Sequence, residues 1–575
     1  MLYKRLLIIF VLTIPACNPN IPVGDRSEFH SVGIVVSADS LATDVGLKIL
    51  RKGGNAVDAA VAVGFTLAVT YPRAGNLGGG GFMVLRLSDG TKTTIDYREK
   101  APEKATRDMY LDSEGNHIPE LSEEGGLAAG VPGSVAGMLY ALDKYGTMSV
   151  GELILPSYKL AKDGIIVTSG MSEAISEKSD IFRKYPATSS IFLKDSLPYE
   201  VGDKLIQADL SETLMRIMED GVKGFYEGKT AELFVSTINK YGGLITISDL
   251  RAYRPVERVP VIGNYRGYEI IGMQPPSSGG IVLTEMLNIL ENFDISGMER
   301  DSYSFNMTFT EAAKHAYADR AAYLGDMDFY HVPVNALTAK EHAQPKADSI
   351  KTGKIIPSKN LKYGNETWLD SVENVLLNES TETTHYSVID KWGNAVSVST
   401  TINAYYGSKI VVEGAGFFLN NEMDDFTAKP GVPNMYGLVQ GEANIVEPGK
   451  RMLSSMTPTI VEKNGKVVLI TGSPGGSRII TTIAQVLINY IDFKMEPVEA
   501  VKRPRIHHQW LPDSLYYEPD ALDSEMKLKL ESSGYDLKEK DIIGIAQTIG
   551  WDRSTGRLVP APDMRRNGYG GIVEQ

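Results

Sequence analysis

Thr383 and Thr384 stand side by side at the start of a strand-like run, Thr383-Thr-His-Tyr-Ser-Val, directly after Glu382. A threonine hydroxyl is a poor nucleophile unless a base sits beside it, and one solution is the residue's own α-amine at a newly made N-terminus. A free α-amine titrates at about pH 7.7–8.0, so near neutrality it can take the hydroxyl proton without a histidine. Thr383 gains that amine only if the Glu382–Thr383 bond is cut. Taken alone the pair carries little weight, because threonine is a favoured strand residue.

Other chemistries are poorly provided for. HExxH and CxxC are absent, and the eight histidines show no metal-ligand spacing, which argues against a zinc centre. The run Gly78–Gly81 lacks the Lys-Ser/Thr that completes a phosphate loop. It reads equally well as a turn where backbones pack closely. Gly170-Met-Ser-Glu-Ala174 is the nearest approach to a nucleophile elbow, and it lacks the second glycine. No pattern pairs Ser134 or Ser473 with a histidine.

The elements that must position any such site are legible in the hydrophobic periodicity. Leu41–Lys52 reads as a helix stopped by Gly53-Gly54, and Asn55 caps a second helix running to about Ala68. Phe82–Leu87 and Lys92–Tyr97 read as a hairpin turning at Ser88-Asp-Gly90. Alternating apolar positions predict two more hairpins, Tyr386–Asp390 with Ala395–Thr400 and Thr459–Glu462 with Lys466–Thr471. A helix at Ile479–Ile491 follows the last of them. Hairpins next to helices at both ends of the chain predict an α+β fold of stacked antiparallel sheets covered by helices. Between them, Asn335–Ser380 is mostly polar and reads as a surface segment or flexible tail.

Composition bounds the partners. The 575 residues are 43% hydrophobic and 23% charged, ample for a core, and the net charge of −14 offers no basic face to nucleic acid or to anionic lipid. Met1-Leu-Tyr-Lys-Arg followed by the apolar run Leu6–Ile14 is too short to span a bilayer and reads as an export leader. It ends at Ala16-Cys17, which resembles a bacterial lipoprotein signal with Cys17 as the lipid site. Pro15 fits that pattern poorly, and an ordinary secretory leader is the alternative. Cys17 is the only cysteine, so the mature fold has neither a disulfide framework nor a cysteine nucleophile.

Several motifs in order carry a resemblance. They are Asn76-Leu-Gly-Gly-Gly-Gly-Phe82, Arg98-Glu-Lys-Ala-Pro102, Pro275-Pro-Ser-Ser-Gly-Gly280 and Thr383-Thr-His-Tyr-Ser-Val388. Leu419-Asn-Asn-Glu-Met-Asp-Asp-Phe426, Lys429-Pro-Gly-Val-Pro-Asn434, Leu453-Ser-Ser-Met-Thr-Pro458 and Thr471-Gly-Ser-Pro-Gly-Gly-Ser-Arg478 complete the set. Together they resemble the γ-glutamyltranspeptidase family across nearly the whole chain after the leader. The resemblance implies an N-terminal nucleophile hydrolase with a four-layer αββα sandwich, made as a proenzyme that cuts itself. By it, the Thr383 hydroxyl attacks the carbonyl of Glu382. The chain then divides into a leader at 1–17, a large chain at 18–382 and a small chain at 383–575, the latter two forming one interleaved domain.

The same resemblance implies roles for single residues. Thr383 is the nucleophile, Thr401 orients it, and Gly475 and Gly476 supply the oxyanion hole. Arg98, Ser454 and Ser455 hold the α-carboxylate of a γ-glutamyl substrate, and Asn403, Glu422 and Asp425 accept from its α-ammonium. Lys429–Gln440 is the lid, with Tyr436 screening the acyl-enzyme from water. The implied reaction takes the γ-glutamyl group of glutathione or a related amide and passes it to water, an amino acid or a dipeptide. No metal or organic cofactor is implied. The expected location is the periplasm, with membrane attachment only through a lipid on Cys17. The alternatives are a glutaryl acylase, a poly-γ-glutamate depolymerase and an uncleaved binding protein. A glutaryl group has no ammonium for Asn403, Glu422 and Asp425, a depolymerase needs an open groove where the lid lies, and nothing in the catalytic set is missing.

Overall fold

Residues 32–361 and 383–574 are described by a computed structural model. Cys17 and Glu382 lie outside the described residues, as do the rest of the leader and of the polar segment just before Thr383.

Thirteen strands build two antiparallel sheets. In chain order they are β1 (Val32–Ser37), β2 (Gly80–Arg86), β3 (Lys92–Asp96), β4 (Val256–Arg258), β5 (Val261–Tyr265), β6 (Tyr268–Gly272), β7 (Thr383–Ile389), β8 (Ala395–Thr401), β9 (Thr459–Lys463), β10 (Lys466–Thr471), β11 (Gln547–Asp552), β12 (Arg557–Pro562) and β13 (Tyr569–Glu574). One sheet has the order β13-β1-β7-β8-β2-β3-β4, the other β12-β11-β10-β9-β6-β5. Six helices matter for the site: α1 (Ser40–Arg51), α2 (Ala56–Thr70), α3 (Gly279–Leu290), α4 (Tyr303–Tyr323), α5 (Lys340–Ser349) and α6 (Ile479–Ile491).

Successive side chains on a strand point to opposite faces, so a strand buried on both sides feeds two cores. Ile34, Phe82, Val84 and Ile389 of the first sheet meet Ile460 and Ile470 of the second between the sheets. The alternate residues Val35, Met83, Leu85 and Val388 pack against α1 and α2. On the far side Ile270, Val461 and Leu469 pack against α3 and α6. The result is a four-layer αββα sandwich. The expected Asn55 cap is present: its side chain accepts from the N–H groups of Val57 and Asp58, and the Asp58 carboxylate accepts from the Asn55 N–H. Helix α6 has the limits expected from its periodicity.

One expectation fails. Part of the polar stretch Asn335–Ser380 forms α5, whose Ala343, Lys346 and Ala347 are buried. The Lys346 ammonium inserts between Glu285 of α3 and Asp319 of α4, and this pairing offsets the desolvation of a charge that would otherwise stay in water.

Candidate active site

Thr383 is the first residue of β7 and lies in the middle of its sheet, paired in register with Thr401, the last residue of β8. Thr401 is in turn paired with Gly80 of β2. Gly79 shows why glycine is needed beneath this point: a Cβ there would lie 2.1 Å from the Thr401 carbonyl oxygen. The close-packing reading of the glycine run is therefore the correct one. After β8 the chain reverses at Asn403, in the left-handed region at φ 71°, and its N–H donates to the Thr401 hydroxyl at 2.8 Å. Thr384, one residue on, turns its buried hydroxyl away without a hydrogen-bond partner among the described residues.

Thr383 opens onto a small recess that Thr401, Asn403, Glu422, Asp425, Tyr436, Ser454, Ser455 and Gly476 also line. Residues from both halves of the chain converge on it, since Arg320 lines it too. Arg98 and Gly475 stand outside this wall. Arg98 is fully buried behind it, giving Nη1 to Glu422 and Nη2 to Asp425, with Nε on the Met452 carbonyl at 3.2 Å.

Burial sets the charges. It pushes the Glu422 carboxyl up to about 7 against the pull of Arg98, with Asp425 adding to the rise. Asp425 is raised by the same burial, again opposed by Arg98. Burial also works against the charge of Arg98, but Glu422, Asp425 and Glu99 outweigh it and hold its pKa above the ordinary value. Glu99 lies 3.6 Å from the guanidinium. Burial and then the neighbouring Glu422 raise its pKa well above the ordinary carboxyl range, against the pull of Arg98.

The Pro275–Gly280 motif is the platform for the two serines. The Ser454 N–H donates to the Pro276 carbonyl at 2.8 Å, and the Ser278 N–H and hydroxyl both donate to the Ser454 carbonyl at 2.7 Å. Gly475 and Gly476, the second of which lines the recess, have φ of 142° and 56°, and a Cβ on Gly476 would lie 2.5 Å from the Tyr436 ring. Only glycine meets both demands.

Tyr436 is tied down from several directions. Its phenol donates to the Asn403 carbonyl at 2.9 Å, and its own carbonyl accepts from Gln509 Nε2 at 3.0 Å. Next to it the Met435 N–H donates to Asp424 at 3.1 Å, and Asn434 Nδ2 donates to Asp425 at 3.2 Å.

Residues 42–573 match the sequence model of the family described as Gamma-glutamyltranspeptidase. The chain belongs to the γ-glutamyltranspeptidase family. It is 49% identical over 560 residues, 96% of its own length and 94% of the relative's, to the Escherichia coli (strain K12) protein named Glutathione hydrolase proenzyme. The solved structure of Helicobacter pylori γ-glutamyltranspeptidase matches at 47% identity and a TM-score of 0.56, covering 57% of this chain and 95% of that one. Bacillus halodurans cephalosporin acylase is 24% identical, with a TM-score of 0.81 over 98% of this chain and 99% of that one. This last is a likeness of fold alone. The sandwich is that of an N-terminal nucleophile hydrolase, and the chain is a γ-glutamyl transferase and hydrolase.

In this γ-glutamyltranspeptidase the sequence reading overlooked Arg320, Leu438, Met456 and Ile479 on the recess wall, and Asp424 and Gln509 among the tethers of Tyr436. The three apolar residues carry no chemical signal. Arg320 carries a faint one: Glu311, Lys314, Asp319 and Arg320 all fall in α4, and all are buried, whereas a surface helix keeps its charges on one solvated stripe. Among the described residues no helix is long and apolar enough to cross a membrane.

Proposed function

We propose that Thr383 is both the residue at which the precursor cuts itself and the nucleophile of the mature enzyme. The observation that carries this reading is its place: Thr383 begins a central strand and opens onto a recess lined by two carboxylates, two serines and a glycine turn. In the precursor the Thr383 hydroxyl adds to the Glu382 carbonyl carbon, the peptide C–N bond breaks to leave an ester, and water hydrolyses it. The products are a large chain 18–382 and a small chain 383–575 that starts with a free amine.

In turnover that amine takes the Thr383 hydroxyl proton as the oxygen attacks the γ-carbonyl of glutathione or a related γ-glutamyl amide. The N–H groups of Gly475 and Gly476 receive the oxyanion, and such donors are typically worth about 3–4 kcal/mol each. The proton passes to the leaving amine, cysteinylglycine in the case of glutathione. Water then releases glutamate, or an amino acid or dipeptide amine takes the group. Thr401 orients the nucleophile. Asn403, Glu422 and Asp425 receive the substrate ammonium, Ser454 and Ser455 its carboxylate within the field of Arg98, and Tyr436 keeps water from the acyl-enzyme. Export rests on the N-terminal leader, and lipid attachment on Cys17 alone, which on that reading stays as the first residue of the large chain.

Intact mass and N-terminal sequencing of the wild type beside Thr383→Ala test the reading. The expected result is two chains, the smaller beginning Thr-Thr-His-Tyr, with the variant left whole and without γ-glutamyl transfer or glutathione hydrolysis. A wild type that stays one chain after folding would sink the assignment.

A further inference from the structure

Thr383, His385, Ser387 and Ile389 alternate along β7 and share one face, the face that Ile389 turns toward the second sheet. Their partners in register on β8 are Thr401, Ser399, Ser397 and Ala395. Three successive pairs at the nucleophile end are thus polar, and all of these residues are buried. Elsewhere in the same layer Ile34, Phe82, Val84, Ile460 and Ile470 pack together. Polar groups in such a layer cost stability unless each has a partner.

The two pairs behind the threonines find theirs, and the bonds run from sheet to sheet. The His385 ring stands between two hydroxyls, with Nδ1 2.9 Å from Ser399 and Nε2 3.2 Å from Ser387. Ser387 donates to the Gln547 carbonyl at 2.8 Å, at the start of β11. Ser397 donates to the Thr471 carbonyl at 3.0 Å, at the end of β10, and accepts from the Thr459 N–H at 3.0 Å. Because the Ser387 proton goes to Gln547, that hydroxyl accepts from Nε2–H, and Nδ1 accepts from Ser399. Burial pushes the ring down to about 3. With both nitrogens committed and the ring neutral, His385 is not the base for Thr383.

What the ring holds is the backbone that follows β10. A Cβ on Gly472 would lie 2.2 Å from His385 Cε1 and 2.3 Å from Nδ1, so the chain rests directly on the ring there. The Gly472 carbonyl accepts from the Gln547 N–H at 3.0 Å, and the Ser473 hydroxyl accepts from the Ile545 N–H at 2.7 Å. His385 stands two residues after Thr383, and Gly472 three residues before Gly475. We propose that His385 is a positioning residue: its ring is the spacer that sets the Gly475–Gly476 turn at its height over Thr383, and the serines lock the ring in place. The inference rests on the γ-glutamyl reading above and deepens it, since it names what holds the assigned oxyanion donors against the nucleophile.

The test compares two ligands in wild type and in His385→Gln, which keeps a donor and an acceptor but loses the width of the ring. One is L-2-aminobutyrate, which has the amino-acid head and ends at the γ-carbon. The other is the glutamate analogue with a boronic acid in place of the γ-carboxyl. Its boron adds to the Thr383 oxygen, the hydroxyl proton goes to the α-amine, and the boron becomes a tetrahedral anion. The readout is the ratio of the two dissociation constants, measured without a donor. Losing one oxyanion donor typically costs on the order of 10²- to 10³-fold, so the boronate should lose affinity on that order while 2-aminobutyrate does not. A merely structural ring would weaken both ligands together and leave the ratio unchanged, which overturns the inference. A variant that folds but stays uncleaved is read by its crystal structure: Gly475 and Gly476 displaced from Thr383 between intact sheets support the spacer, and an unmoved turn refutes it. If His385→Gln does not fold, Ser399→Ala, which keeps the ring and removes one bond to it, should move the ratio the same way, and an unchanged ratio there refutes it equally. A wild type that binds neither ligand sinks the function itself, whereas discrimination that the variants retain sinks this inference alone.

Discussion

If Lys429–Gln440 is the lid proposed above, Gln509→Leu should convert this enzyme toward hydrolysis, and the structure sets the size of the effect. Gln509 and Tyr436 are 2% and 5% exposed, and the bond from Gln509 Nε2 to the Tyr436 carbonyl is 3.0 Å long. The amide is itself held in place. Its oxygen lies 2.9 Å from His507 Nε2, and His507 Nδ1 lies 2.7 Å from the Thr481 hydroxyl of α6. Burial pushes His507 down to about 3, so the ring is neutral and this relay does not change with pH in the working range. Leucine keeps most of the volume and loses the donor. Leaving a buried carbonyl one donor short costs about 1–3 kcal/mol, which shifts the balance of closed to open lid by roughly 5- to 150-fold. The assay follows free glutamate and transfer product from one γ-glutamyl donor at fixed acceptor concentration, so both products derive from the same acyl-enzyme. The hydrolysis-to-transfer ratio should rise at least fivefold, in line with the lower figure. A processed variant whose ratio stays within twofold of wild type would refute the claim that this bond holds the lid, or that the lid keeps water out.

Two further outcomes follow from the charges. If Glu422 and Asp425 receive the substrate ammonium as proposed, they do so only when ionised, and burial raises both against the pull of Arg98, Glu422 to about 7. Hence kcat/KM for a γ-glutamyl anilide should fall as pH drops through about 7, relative to a glutaryl anilide that lacks the ammonium; identical profiles for the two donors would count against this pair. Lys346→Met removes the ammonium shared by buried Glu285 and Asp319, which also lies 2.8 Å from His342 Nε2. Breaking a buried pair typically costs 3–5 kcal/mol, so the thermal midpoint should drop by several degrees, and an unchanged midpoint would mean that α5 is not held by this cluster.

Much of the fold was legible because it is local. Alternation placed the three hairpins, Asn55 marked the start of α2, and the apolar run Ile479–Ile491 marked α6. The motif residues likewise named Thr383, Ser454, Ser455, Glu422 and Asp425 before any geometry was known. What the sequence could not determine is where buried charges find partners. Polar α5 looked like a surface segment because the acids that bury Lys346 come from Asp319 and Glu285, 27 and 61 residues away. Arg98 was legible as a charge in the site, but its carboxylates lie 324 and 327 residues further along the chain. Only the tertiary structure turns its guanidinium to them and leaves Arg320 facing the recess. Periodicity and caps depend on neighbours in sequence, whereas the state of a buried charge depends on which distant group the fold brings within hydrogen-bonding reach.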